Sequence, residues 1–271
     1  MDTAIDLEAY LSRIAYNGTR TPSYAALCEI QRRHVCTIPF ENLDIHLGRP
    51  ICIDLPAIEE KIVRHRRGGY CFEQNTLLQA ALKQLGFTVR PLLARVRWQV
   101  PAEVETAKTH MLLTVACDGS RYLVDGGFGS GSLSAPLRLE TEAEQVTPHE
   151  PRRVVQRDGY HAHQIRVADQ WEDLYHFTFQ PVLPIDYQMS NWFTSTWPQS
   201  RFRQNLIAAR ADEGVRYTLL NREFTIRWMD GRNAKREIAS PDELIEVLAE
   251  YFALTFPRGT RFGPAGSAWP S

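Results

Sequence analysis

Arg67-Gly68-Gly69-Tyr70-Cys71-Phe72-Glu73-Gln74-Asn75 is the stretch on which the reading of this chain turns. Two glycines let the backbone turn tightly and leave room above it. Beyond them Leu78, Ala81, Leu82 and Leu85 recur at helical spacing, and Gly86 stands where a left-handed C-terminal cap belongs. Cys71 therefore falls at a helix start, where the positive end of the helix dipole favours a thiolate. The plainer reading is a small residue packing that start. The five cysteines (Cys28, Cys36, Cys52, Cys71 and Cys117) are scattered and contain no C-x-x-C pair. That argues against a disulfide framework and against a zinc knuckle.

Upstream of this stretch the pattern is helical. Leu7, Tyr10, Leu11 and Ile14 share one face. Thr21-Pro22 reads as a cap and first-turn proline opening a helix through Leu27 and Ile30. A third helix runs from Pro56 through Ile58 and Ile62, with Asp54 just before it, and residues 38–43 carry the punctuation of a loop. Downstream of Gly86 the pattern alternates. Strands are expected at 89–98, 111–116, 121–124, 153–156, 161–167 and 174–179, with turns at Asp118-Gly119, Asp158-Gly159 and Ala168-Asp169. Residues 181–198 read as a crossover. After Ser200, two or three strands precede a helix whose Ser240-Pro241-Asp242-Glu243 start is a capping box, and the tail after Pro257 is expected to lie extended. The fold class is α+β: a helical bundle (1–86), an antiparallel β-barrel (87–186), then a crossover and α/β lid (187–271).

Composition narrows the function. Of 271 residues, 44% are hydrophobic and 23% charged, as in ordinary globular proteins. Basic and acidic residues number 31 and 32, a net charge of −1, which provides no broad field for nucleic acid or an anionic membrane. No apolar run reaches the length of a membrane span, and the first ten residues lack a basic start and apolar core. The expectation is a soluble, cytoplasmic protein without nucleic-acid or membrane partners.

A nucleophilic cysteine needs a base, and the base needs an orienting carboxylate. His110 lies at the mouth of one apolar strand and Asp125 at the end of the next, nearly equidistant from the Asp118-Gly119 turn. Antiparallel pairing then brings them together across the sheet. Taken singly, the histidine is an ordinary polar residue and the aspartate a turn residue. The glycine-rich 126–131 segment that follows can cradle phosphate or simply turn. It is no dinucleotide fingerprint, because Ser132-Leu133-Ser134-Ala135-Pro136 does not continue as a helix. Arg64-His65-Arg66-Arg67 reads as a solvated helix end. His161 and His163 share a strand face with no third ligand nearby, so no metal is expected.

Together, the 67–75 and 38–43 stretches, the 109–113 strand, residues 122–129 and Asn191-Trp192-Phe193-Thr194-Ser195-Thr196 resemble the arylamine N-acetyltransferase family, with Pro198, Ser200 and Phe202 behind them. The likeness holds in order and spacing through Phe202 and weakens after it. It implies three domains and a cysteine–histidine–aspartate triad with papain-like geometry: Cys71 the nucleophile, His110 the base, Asp125 the orienting acid. It also implies Phe40 and Phe128 in the acceptor pocket. The activity implied is transfer of an acetyl group from acetyl-CoA to an arylamine or arylhydrazine by a ping-pong route, with Gly129 and its loop meeting the coenzyme A donor and no metal. One departure is Gly127, where many members carry valine or another apolar residue; it leaves the triad intact and bears on the loop beside Phe128. The same three residues also suit a cysteine hydrolase (amidase or peptidase), or an amide-forming enzyme of antibiotic assembly.

Overall fold

In the computed structural model, which describes residues 4–263, the first third of the chain is helical. Helix α1 (Leu7–Arg13) is capped by Asp6, whose carboxylate accepts from the Ala9 N–H at 2.9 Å. Helix α2 (Tyr24–Thr37) starts two residues later than Thr21-Pro22 suggests, because Ser23 supplies the cap and accepts from the Ala26 N–H. Strand β1 (Phe40–Glu41) and helix α3 (Leu43–His46) occupy the segment expected to be a loop. Helix α4 (Leu55–Glu59), capped by Asp54, widens into a π-helical turn over Glu60–Arg64. Helix α5 (Cys71–Gln84) ends at Leu85, and Gly86 takes φ +87°. Its Phe72, Leu78, Ala81 and Leu82 bury with Tyr10, Leu27, Ile30 and Ile62 in one core.

The alternating region forms β2 (Thr88–Val96), β3 (Lys108–Cys117), β4 (Ser120–Val124), β5 (Leu137–Arg138), β6 (Arg152–Arg157), β7 (Tyr160–Val167) and β8 (Gln170–Phe177). They pair antiparallel in the spatial order β5-β4-β3-β2-β8-β7-β6. Gln145 nearly closes the barrel. Its main chain bridges to Arg152 on β6, while its side-chain amide exchanges hydrogen bonds with the Arg138 main chain on β5 (2.8 and 3.0 Å). Leu92, Ala94, Leu112, Leu123, Leu133, Val154 and Ile165 fill the interior.

The crossover is helix α6 (Pro184–Thr196), opened by Pro184 and by Asp186, whose carboxylate accepts from the Leu183 N–H at 2.8 Å. Its serine and threonine content hid it, but Thr194 and Ser195 return their hydroxyls to carbonyls four residues back, at 2.7 Å each. Then come α7 (Arg201–Gln204), β9 (Ile207–Asp212), β10 (Val215–Leu220), β11 (Glu223–Trp228), β12 (Asn233–Glu237) and α8 (Pro241–Phe252). There are four strands here rather than two or three, and the sheet order is β1-β9-β10-β11-β12. Strand β1 thus lends its edge to a sheet 169 residues downstream, with Phe40 opposite Ala209. Helix α8 lays Leu244, Val247, Leu248 and Phe252 on Leu219 and Phe224. Past Pro257 the chain makes a turn rather than lying extended, the Thr260 N–H donating to the Pro257 carbonyl at 3.1 Å, and then buries Phe262 edge-on to Phe256 at 5.0 Å; 264–271 fall outside the described residues. Among the described residues no helix is long and apolar enough to cross a membrane.

Candidate active site

Sheet register positions the histidine and the aspartate. Strand β3 pairs with β4 so that Leu113 faces Val124. Continued one residue, that register sets Asp125 opposite Leu112, and His110 lies two residues along the same face. The pair is therefore diagonal, within reach of a long side chain. His110 Nε2 meets Asp125 Oδ2 at 2.7 Å. On the other edge of β3, Ala94 pairs with His110 and Arg95 with Lys108, which leaves Thr109 as the extra residue of a bulge. The Thr109 carbonyl lies 3.7 Å from Cys71 Sγ.

Cys71 is the first residue of α5 and is buried. The Tyr70 N–H before it donates to Glu73 Oε2 at 3.0 Å, and the Tyr70 hydroxyl donates to Asn191 Oδ1. Glu73 belongs to a nearly dry ionic cluster. Lys61 Nζ stands 2.7 Å from both Glu73 Oε1 and Asp44 Oδ2, and Arg67 donates to Glu41 Oε1 at 2.7 and 3.1 Å. The cluster clamps the 67–73 turn onto β1 and α3. Asn75, one helical turn past Cys71, joins helix to barrel. Its amide donates to the Met111 carbonyl (2.8 Å) and Asp125 Oδ1 (3.0 Å), and accepts from the Gly126 N–H (2.9 Å).

The electrostatics follow from these contacts. Burial opposes charge on His110, but the Asp125 carboxylate, its hydrogen bond and the adjoining Cys71 sulfur outweigh it, and the pKa is pushed up to about 10. Burial also opposes the Asp125 carboxylate, yet His110, Asn75 and the Gly127 N–H hold it below its ordinary value. At neutral pH the pair is imidazolium and carboxylate. With Nε2 committed to Asp125, Nδ1 is the ring nitrogen left for the sulfur.

Aromatic rings surround the triad. Phe128 stands edge-on to His110 at 5.1 Å and tilted on Tyr175 at 5.3 Å. Phe40 packs on Phe202 at 5.9 Å, and Phe202 on Tyr70 at 5.7 Å. A β-carbon on Gly129 would touch the Phe40 ring at 3.4 Å, so Phe40 and the 126–131 loop are adjoining walls. The Gly126, Gly127 and Gly129 N–H groups already donate to Asn75, Asp125 and the Ser132 hydroxyl. That leaves little of a phosphate cradle in the loop.

Cys71, His110, Asp125, Phe40, Phe128 and Gly129 thus meet in one place. The sequence reading quoted Asn75, Phe202 and the 109–113 strand without giving Asn75, Phe202 or the Thr109 carbonyl a place in the site, and it did not single out Tyr175. Asn75 was within reach, since it sits at i+4 from Cys71 on the same helix face. His163 is fully buried 4.8 Å from Tyr175, and His161 stacks on Phe177. Among the described residues no group of three or more histidine, cysteine or carboxylate side chains is arranged to hold a metal. A groove of about 1080 Å³ is lined by Arg95, Arg97, Trp171 and His176 and not by the triad.

Known proteins share this sequence and fold. A family model described as N-acetyltransferase matches residues 23–260. The arylamine N-acetyltransferase of Mycobacterium tuberculosis is 41% identical over 256 residues, covering 93% of this chain and 90% of that one. The arylamine N-acetyltransferase / N-hydroxyarylamine O-acetyltransferase of Salmonella typhimurium is 39% identical over 251 residues, covering 92% and 88%. The structure of the Mycobacterium marinum arylamine N-acetyltransferase in complex with CoA superposes with a TM-score of 0.88 at 37% identity, covering 92% of each chain.

Proposed function

The chain belongs to the arylamine N-acetyltransferase family, and from that premise we propose that Cys71 carries an acetyl group from acetyl-CoA to an arylamine or arylhydrazine. The observation that carries this is the convergence of Cys71, His110 and Asp125 from a helix start and two strands, with His110 held charged. In the resting enzyme His110 as imidazolium balances the Cys71 thiolate, and Asp125 fixes the ring. The thiolate attacks the thioester carbonyl; the new C–S bond forms as the bond to coenzyme A breaks, and the departing thiolate takes the His110 proton. Thioester is exchanged for thioester, so little energy separates the two. The amine then attacks acetyl-Cys71, the now neutral His110 takes its proton, and the Cys71 thiolate leaves as the amide forms. The resting ion pair is restored. The Cys71 N–H, at the head of α5, supplies one oxyanion donor.

Phe40 and Phe128 hold the ring of the acceptor, and Phe202 extends that wall. Gly129, with its loop N–H groups largely spent, suits the pantetheine arm better than the phosphates. In this reading residues 1–86 bring the nucleophile, 87–186 the base and acid, and 187–271 the crossover and lid. Five unpaired cysteines suit a reducing compartment, and we place the protein in the cytoplasm. The relatives' names favour acyl transfer over the hydrolase and antibiotic-assembly readings. The name of the Salmonella relative supports O-acetylation of N-hydroxyarylamines as a second use of the same acetyl-cysteine.

The test is intact mass after mixing with acetyl-CoA and no acceptor, beside Cys71→Ala. One acetyl adduct, absent from the variant and discharged by an arylamine, is expected. No adduct, with Cys71 still readily alkylated, would sink the acetyl-CoA reading and return the hydrolase.

A further inference from the structure

Arg152, at the start of β6, heads the fully buried side chains by volume. One of its nitrogens reaches a carboxylate, NH2 donating to Glu150 Oε2 at 3.0 Å, while Nε and NH1 have no hydrogen-bond partner among the described residues. Glu150 is shared. Arg216 on β10 donates to it at 2.9 and 2.8 Å, and Arg227 on β11 at 2.6 Å. Arg216 is buried as well, whereas the Arg227 side chain is 37% exposed. One carboxylate thus serves two guanidiniums that lack solvent, and a positive charge is left over inside the protein. An uncompensated buried charge is costly.

Strand register shows where that charge is directed. Ile165 faces Arg152 and His163 faces Val154 across β6–β7, so His163 is the diagonal neighbour of Arg152 on the inner face. His163 in turn faces Tyr175 across β7–β8, with ring centroids 4.8 Å apart. The Tyr175 ring lies 4.8 Å from that of His110. Among the described residues neither His163 nitrogen has a hydrogen-bond partner. Burial, and then Arg152, hold His163 neutral, while burial and then Asp125 keep the Tyr175 phenol un-ionised. A row of side chains therefore runs from the unspent charge, through two neutral groups, to the triad. Thiolate, imidazolium and carboxylate sum to −1; Glu150, Arg152 and Arg216 sum to +1.

We propose that Arg152 is a positioning residue whose buried charge balances the deprotonated Cys71–His110–Asp125 site, acting across the His163–Tyr175 pair. This rests on the reading of Cys71 as the nucleophile. The titratable groups that face the site are Tyr70 at the cap of α5, Glu73 within it, Asp125 after β4, Tyr175 from β8, His163 from β7 and Arg152 from β6, with Glu150 and Arg216 behind. Arg152 brings a positive charge to the barrel side of that list and shares its one carboxylate, Glu150, with Arg216 and Arg227.

The experiment is the pH dependence of Cys71 alkylation by iodoacetamide, followed by peptide mass mapping in the full-length protein. Arg152→Met is expected to raise the midpoint by about 1 pH unit, about tenfold less thiolate at a given pH below it. Arg152→Lys keeps the charge and holds the midpoint near that of the parent. Glu150→Gln leaves the guanidiniums and removes the negative charge, so its midpoint falls. Circular dichroism identifies variants that fold; if Arg152→Met does not, the direction of the Glu150→Gln shift decides. Folded variants with unmoved midpoints, or both moving the same way, overturn the proposal. Parent protein whose Cys71 is alkylated no more readily than the other four cysteines at any pH indicts the nucleophile reading instead, so the two failures are separable.

Discussion

A β-carbon on Gly127 would stand 2.7 Å from the Cα of Cys71 and 3.2 Å from the Asn75 amide nitrogen. The loop that leaves Asp125 therefore lies directly against the head of α5, and only a residue without a side chain permits it. Gly127 is absent from the positive-φ residues, so space rather than backbone conformation is the constraint. Gly127→Val is expected to push the loop and Phe128 away from Cys71, at about 1–3 kcal/mol of stability for the overpacking. The acceptor KM should rise more than the rate of acetyl-enzyme formation falls. Urea unfolding and separate half-reaction kinetics measure the two; an unchanged acceptor KM would refute the placement.

Asn75 is the tie between nucleophile helix and barrel. Asn75→Leu keeps the bulk but strands the Met111 carbonyl and the Gly126 N–H, and removes one of the donors to Asp125. Each buried group left without a partner costs about 1–3 kcal/mol. The triad would lose its alignment, and a misplacement of this kind costs about 100-fold in rate. Stopped-flow acetylation together with thermal melting would show both losses. Parent-like acetylation in a destabilised variant would reduce Asn75 to a purely structural role.

The His110–Asp125 pair has a definite pH signature. His110 gains its partner on folding and its pKa is raised to about 10, so its contribution to stability is full below the unfolded value, about 6.5. That contribution fades as pH rises through the folded value. The Tm gap between parent and His110→Gln should therefore be widest near pH 6 and close by about pH 10 to 11. A gap constant across that range would mean that the ring is neutral in the folded protein.

Arg67 connects the nucleophile turn to β1, α3 and the C-terminal segment. It donates to Glu41 at 2.7 and 3.1 Å and to Asp44 at 3.2 Å, and its guanidinium lies 4.7 Å from the centre of the Phe256 ring. Arg67→Ala leaves a buried carboxylate short of a partner, and a loss of about 3–5 kcal/mol is expected from urea unfolding. Arg67→Lys keeps the charge but not the planar fork, and should recover only part of it. Full recovery with lysine would show that charge alone matters.

The parts of the site that were legible in the sequence are those with a local cause. The Gly68-Gly69 turn, the helix start at Cys71 and the Asp118-Gly119 hairpin each follow from nearby residues, the last with φ of +49° and +75°. From that hairpin alone the closeness of His110 and Asp125 could be counted out. The two-residue diagonal between them follows from the same count only because β3 and β4 pair without a bulge, which the turn residues do not by themselves guarantee. The 38–43 segment was read as a loop since no local pattern marks β1, whose pairing partner lies on β9.

What the sequence by itself determined is therefore the class of elements and the candidates Cys71, His110 and Asp125, since helix starts, hairpins and alternation are set by residues a few positions apart. Only the tertiary structure decided the rest. The bulge at Thr109, the Asn75 tie, the close approach of Gly127 to Cys71 and the Arg152 row all join residues from distant segments. Their distances are set by how helix, barrel and lid pack together, and packing of that kind leaves no periodicity in the chain.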